Sequence, residues 1–427
     1  MRDLLIIIII LGGSAVALRK PWIGIILWTW VSLMNPHQQW GYISTTMPIA
    51  MIVGASTLIG FLFSREKLPI FTSSAAWVLA AFAVWITFTL PFSMYFDKSL
   101  PLWERTIKTY LMLFVTLALI ESPRKMNIYI WTMVVSIGFY GVKGGLFTLL
   151  TGGNYRVWGP GGFIEGNNEI GLAVILVIPL MHYLQLQMTN KWYRHLMTVS
   201  MVLSALMALG THSRGALLAL LAMAFLIWVR GQRKLAFGFM AIAIGLLILP
   251  FMPAEWWARM DTIQTYDQDA SALGRINAWW MAWNLAKDRL LGGGFDIYNA
   301  TVFSLYAPDP HDVHAAHSIY FQILGEHGFI GLALFLLLGV VTWITAGKLM
   351  KIGKSDASLG WARDLGAMAQ ASMVGYAVGG AFLSLAYFDL PYNIMVAVIL
   401  AKHFAEQKSS QTQVSDQHES IAKQING

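Results

Sequence analysis

None of the 427 residues is cysteine, which rules out disulfides, thiolate metal sites and a cysteine nucleophile. Charge is scarce as well. Asp, Glu, Lys and Arg make up 12% of the chain, where a soluble domain carries about 25%. A water-soluble fold is therefore excluded. Short alternating segments separated by turns, the mark of an outer-membrane barrel, are absent, and blocks such as "LIIIIILGG" stand in their place. The formal charge is +7, yet no long basic run or aromatic–basic array accompanies it, so nucleic acid is not an expected partner.

What the chain does have is grease: 57% of its residues are hydrophobic. Apolar runs near the ~20 residues needed to cross a bilayer recur along its length. The expected fold class is an all-α polytopic membrane protein. Apolar segments fall at 4–18, 21–34, 47–63, 72–96, 102–120, 127–150, 169–187, 195–211, 214–229, 235–251, 318–346, 364–386 and 390–402. The opening "MRDLLIIIIILGGSAVALRK" imitates a signal peptide, but with further apolar segments directly behind it an uncleaved membrane segment is expected. Segments 4–18 and 21–34 are short, so 1–34 is either a tight hairpin or one broken crossing. About twelve spans result.

The gaps alternate in charge. Arg19-Lys20, "REK" at 65–67, "PRK" at 123–125, "KWYR" at 191–194, "RGQRK" at 230–234 and "KLMKIGK" at 348–354 are basic, and read as cytoplasmic loops. Gaps 35–46, 97–101, 151–168, 212–213, 252–317 and 387–389 lack paired basic residues and face the other side. One membrane domain, 1–404, with a large outer loop at 252–317, is thus expected, followed by a polar, disordered cytoplasmic tail at 405–427. Eighteen Trp and fifteen Tyr suit the two membrane interfaces, and membrane lipids are expected partners.

Against this map the informative residues are cations on the outer side. Arg214, in "THSRGALLAL", stands where one span ends and the next begins, and Ser213 can cap the new helix. Backbone N–H groups, the positive helix end and a guanidinium would meet there, which suits phosphate, although an arginine can also snorkel to lipid headgroups. Arg275 sits in "SALGRINAWWMAWNLAKDRLLGGGF", where "GR" opens an aromatic-rich surface helix closing at Gly292-Gly293-Gly294. Arg289 in the same stretch, Arg156 in the glycine-rich "GGNYRVWGPGGFIEGNNE" and Lys108 are further anion-binding candidates, though Arg289 also suits a solvated face and Arg156 a simple turn. His311, His314 and His317 would spread over roughly 120° of a helix, with Pro310 in its first turn. They could hold a metal with Asp309 or Asp312, or supply a general base near pKa 6.5. Their spacing matches no standard zinc pattern. "DQD" at 267–269 resembles a metal-binding DxD but suits a solvated turn. His317, directly before a span, is the base candidate, and His314 a substrate-binding one. His327 would lie about 15 Å further along the same helix, inside the bilayer.

An arginine at a helix start after a short outer turn, a long outer loop, and then "HSIYFQILGEHGFIG" at 317–331 resemble the O-antigen ligase and polymerase superfamily. "LRKPWIGIILWTWVSLMNPH" and "GPGGFIEGNNEIGLA" are similar to its exosortase-associated O-glycosylation ligases. Ser318 departs from the Asn of many members. The resemblance implies a GT-C-like glycosyltransferase of the bacterial inner membrane with a periplasmic active site. Its donor would be an undecaprenyl-pyrophosphate-linked glycan and its acceptor lipid A–core oligosaccharide. It implies His317 and Arg214 as catalytic, Arg275 as the loop arginine, and no metal or other cofactor. A glycan polymerase, a protein O-oligosaccharyltransferase and, outside enzymes, a polyprenyl-pyrophosphate glycolipid flippase share the donor chemistry. A compartment-sensitive reporter fused after Ser271 is expected to report the outer side, and a cytoplasmic signal would invert the map.

Overall fold

The computed structural model describes residues 2–231, 253–261 and 270–425. The expected span at 235–251 and the DQD at 267–269 lie outside the described residues. Among the described residues the chain is helical and contains no strand. That follows from the apolar runs, because backbone polar groups in hydrocarbon must be satisfied inside their own segment. Polar residues at the segment boundaries start the helices. Ser73, Ser122, Asn190 and Ser213 each accept a hydrogen bond from a first-turn N–H of the helix that follows them.

Four described helices are long and apolar enough to cross a membrane: Ser74–Phe92, Pro123–Leu150, Asn167–Leu186 and Ile319–Ser355. Pro21–Met34 and Ile49–Phe63 are apolar but shorter. Arg2–Ala17 and Pro21–Met34 fold as a helical hairpin, which resolves the two readings of 1–34 in favour of the tight turn. Small residues let helices close up: a Cβ on Gly141, Gly144 or Gly145 would strike Ser204, Met207 or the Leu203 backbone of Lys191–Gly210.

The ends of the bundle sort by charge. Arg19, Lys20, Arg65 and Lys125 surround one recess with Glu66 and Glu121, and Lys125 pairs with Glu121. At the other ends of the same helices the non-basic connections meet. Asn35 donates to the Gly161 carbonyl (3.3 Å), Asn167 to that of Thr211 (2.7 Å), and the Val157 N–H to that of Gly210 (3.1 Å).

The large loop does not stand away from this second end. Its helix Ala270–Asp288, labelled here αL1, starts beside Arg214 and finishes where Arg289 donates to the Phe92 carbonyl at the close of Ser74–Phe92 (2.8 Å). It therefore bridges the ends of two helices rather than running along them. The following Gly292-Gly293-Gly294 docks against Ile319–Ser355, labelled αL2, the helix that carries His327. αL2 breaks at Gly328, whose φ is 68° and ψ −172°. The carbonyls just before the break find outside donors. Gly325 accepts from the Gly293 N–H (2.9 Å), Glu326 from the Gly294 N–H (2.9 Å) and His327 from Trp85 Nε1 (2.9 Å). His327 thus sits at a joint between two arms, fully buried, with Thr89 Oγ1 on its Nδ1 and Tyr387 Oη on its Nε2.

Two expectations change. Residues 307–318 form a loop, not a helix carrying three histidines. Pro308 and Pro310 disfavour helix for the residues before them, and Asn277 takes the backbone into its own amide. It donates to the carbonyls of Asp309 and Asp312 (2.8 and 2.9 Å) and accepts from the Asp309 N–H (2.9 Å). The tail expected to be disordered continues the last helix, Asp389–Ile425. After Pro391 it has neither Gly nor Pro before Ile425 and is rich in Ala, Lys, Glu and Gln, all good helix formers.

At Gly328 a Cβ would collide with the Leu290 carbonyl in a backbone region reserved for glycine. Gly328→Ala is expected to cost at least about 1–3 kcal/mol, read as a lowered unfolding midpoint of the detergent-solubilised protein. Gly339→Ala, in open space on the same helix, should be neutral.

Candidate active site

The turn that carries Arg214 is held from three sides. Asn167 bonds the Thr211 carbonyl, the His212 Nε2 lies 2.9 Å from the Gly153 carbonyl oxygen, and the Ser213 hydroxyl caps Arg214–Arg230 by accepting from the Ala216 N–H at 3.2 Å. His212 adopts φ 55°, a left-handed conformation that turns the chain sharply from one helix into the next. Arg214 and Gly215 then form the first turn, and the absent Gly215 side chain leaves room for Phe382 to close over it. The resulting narrow pocket is lined by Asn168, Ser213, Arg214, Gly215, Arg275 and Phe382. Two arginines from segments 61 positions apart in sequence thus share one recess at a helix N-terminus. Glu169 interacts electrostatically with Arg275, offsetting part of the repulsion between the two cations. Guanidinium forks and helix-start N–H groups suit a multiply charged oxyanion.

His317 enters the same region from the loop side. On αL1, Arg275 and Trp279 are one turn apart and share a face. Trp279 Nε1 donates to the Ala316 carbonyl (2.7 Å) and its ring stacks on Phe321, while Arg275 acts electrostatically on His317. His317 has φ 41°, and its N–H donates to Ser384 Oγ at 3.0 Å. Burial, then the charges of Arg275 and His314, push its imidazole down to about 4. The ring is therefore neutral at neutral pH and able to accept a proton. His314 packs against Gly274, and its Nε2 lies 2.8 Å from an Asp312 carboxylate oxygen. Among the described residues no three His, Asp or Glu side chains converge as a metal-binding set.

The structure therefore gathers Arg214, Arg275, His314 and His317. It places the other three sequence candidates elsewhere. Arg156 is exposed on the strap joining Pro123–Leu150 to Asn167–Leu186, one residue before Val157, which bonds Gly210. Arg289 is some 20 Å along αL1 from Arg275 by helical rise, and its guanidinium serves the carbonyls of Phe92 and Gly292. Lys108 pairs with Glu104 (2.8 Å) beside a separate cavity it shares with Trp28 and His37. One turn before it, Arg105 lies over the Phe163 ring (3.6 Å) and interacts with Asp389.

Several residues escaped sequence reasoning. Asn168 completes the pocket although only its motif, "GNNE", stood out. Gln322 and Glu326 of the 317–331 motif prove to be anchors. Gln322 Oε1 accepts from the Ala386 N–H (3.3 Å), and Glu326 accepts from Tyr387 Oη, which also meets His327 (2.9 Å). Their even run down one helix was a signal of shared orientation, but the partner loop 381–388 could not be named from sequence. Ser384 gave no signal at all.

Two arginines thus share a recess at one end of a helical bundle, with a buried imidazole nearby. Residues 199–336 match the family model described as O-antigen ligase, and residues 1–189 match one described as a family of unknown function (DUF5935). The chain thus carries a domain of the O-antigen ligase-like superfamily, an enzyme class of the glycosyltransferase or ligase type. Arg214, Arg275, His314 and His317 all lie inside the ligase match, whereas Lys108 and Arg156 lie in the other. No curated protein matches the chain.

Because His317 is held down to about 4, protonation should silence it only at low pH. The acid limb of kcat/KM, which reports the free enzyme, is expected near pH 4, with activity flat between pH 5.5 and 7.5. A limb at or above 6.5 would show an imidazole in water, not one seated beside Arg275.

Proposed function

We propose that the protein is an O-antigen ligase of the inner membrane, moving a glycan from undecaprenyl pyrophosphate to lipid A–core oligosaccharide at the periplasmic face. The basic connections would lie in the cytoplasm, and the rest of the fold would be a GT-C-like assembly of about twelve spans. The observation that carries this reading is the pocket where Arg214 and Arg275 meet at a helix N-terminus with His317 alongside.

The diphosphate of the donor binds across the two guanidiniums and the first-turn N–H groups. His317 takes the proton of the acceptor hydroxyl as its oxygen attacks the anomeric carbon. The glycosidic C–O bond to the diphosphate breaks with inversion, and undecaprenyl pyrophosphate leaves already ionised, so no catalytic acid is required. The growing charge on the leaving group meets preorganised cations away from bulk water. His317 is a weak base in the free enzyme because burial, and after it the charge of Arg275, opposes its protonation. A bound diphosphate cancels the second of these, so the donor strengthens the base when there is something for it to do.

Arg156, exposed on the strap, would contact the glycan rather than the diphosphate. Arg289 and Lys108, committed to backbone and to Glu104, are assigned no step.

Purified protein given a lipid-linked glycan and lipid A–core acceptor, with no membrane gradient, should form the ligated product. His317→Ala should lower turnover by about 10²–10⁴-fold, the usual worth of a general base, while donor binding persists. Arg214→Ala should lose both. Product formed only with a second lipid-linked glycan would make the protein a polymerase, and product formed only with a protein acceptor an oligosaccharyltransferase. Transbilayer movement without chemistry would make it a flippase.

A further inference from the structure

A general base is ordinarily oriented by a third group on its second ring nitrogen. Among the described residues His317 has none: its Nδ1 is buried and makes no hydrogen bond with them. The backbone is then what aims the ring. The peptide joining Ala316 to His317 is held at both of its polar ends: its carbonyl accepts from Trp279 Nε1 (2.7 Å) and its N–H donates to Ser384 Oγ (3.0 Å). From that peptide plane His317 departs with φ 41°, a left-handed conformation uncommon outside glycine. The fixed plane and this φ together set the direction of the Cα–Cβ bond, and so where the imidazole starts.

Resting on the reading of His317 as the base, we infer that Ser384 and Trp279 are positioning residues that aim it. Ser384 is fit for this because its loop is rigid. The Leu385 carbonyl accepts from Tyr376 Oη (2.9 Å), the Ala386 carbonyl from Tyr392 Oη (2.6 Å), and the Ala386 N–H donates to Gln322. Tyr387 is tied to Glu326 and His327 at the helix joint. Trp279 is equally fixed, its ring lying flat on Phe321 with 6° between planes. Ser384 lies beyond both matched segments, so neither family description assigns it.

Ser384→Ala removes the acceptor and nothing else, and Trp279→Phe removes the N–H while keeping an aromatic ring on Phe321. Each is expected to lower kcat by up to roughly 10²-fold, the cost of misplacing a reacting group by about 1 Å, with KM for the donor unchanged. Ser384→Thr, which keeps the hydroxyl, should restore turnover. Wild-type kcat in both Ser384→Ala and Trp279→Phe overturns the inference. So does a loss carried in KM, or one that Ser384→Thr does not rescue, since either marks the loop as a binding or folding element. His317→Ala run alongside separates the levels. If that variant is fully active, the base assignment has failed. If it is dead while the Ser384 and Trp279 variants are normal, only the positioning claim has.

Discussion

The arrangement hangs on one break in an otherwise apolar helix. At Gly328 the chain leaves helical geometry, and three successive carbonyls, those of Gly325, Glu326 and His327, accept from Gly293, Gly294 and Trp85. Leaving such groups bare would cost about 1–3 kcal/mol each. The same bonds therefore fasten the end of the large loop to the bundle. Once that end is pinned, αL1 has a fixed finish at Phe92 and its start is laid beside Arg214. The arm before the break, 319–327, lies alongside it and presents His317 at its head.

Polar side chains buried around this joint serve position rather than chemistry. Thr89, His327, Tyr387 and Glu326 form a connected chain of hydrogen bonds. Both ring nitrogens of His327 are engaged, Nδ1 by Thr89 and Nε2 by Tyr387, while Thr89 Oγ1 also lies on the Ile86 carbonyl and Tyr387 donates to Glu326. A fully satisfied buried network rigidifies its surroundings, whereas a partly satisfied one is costly. Its effect here is to fix the loop 381–388 on which both Phe382 of the pocket and Ser384 reside. The four histidines at the head of αL2 thus divide their labour. His317 lies within electrostatic reach of Arg275, His314 lies against the Asp312 carboxylate, His327 is an internal strut, and His311 stays at the exposed loop.

The electrostatics of the pocket also have a direction. Two guanidiniums converge in one recess at a helix N-terminus, Glu169 acts on one of them, and the nearby imidazole of His317 is held neutral, an arrangement that suits an oxyanion. The fixed backbone around Arg214 matters for the same reason. A guanidinium fork gains most when its approach is preorganised, because little side-chain freedom is then lost on binding.

Membrane class, helix starts and the alternation of charge between connections were all legible in the sequence, because each rests on local chemistry: apolar length, a capping hydroxyl, paired basic residues. Arg214 and His317 were singled out there as candidates, the first by its place after a capping serine and the second by its place before a span; their roles belong to the proposed function. Three features were not legible. The break falls on the middle one of three evenly spaced glycines, 325, 328 and 331, and the approach of the 290–294 loop, not the local sequence, selects it. The loop at 307–318 replaces the expected helix because Asn277, more than 30 residues earlier, takes up its backbone. The choice among Arg275, Arg289, Arg156 and Lys108 turns on which cation the packing of αL1 brings to the recess. Short-range pattern determined what each segment is; the tertiary structure decided which side chains meet, because partners remote in the chain set the hydrogen bonds and charges at each meeting point.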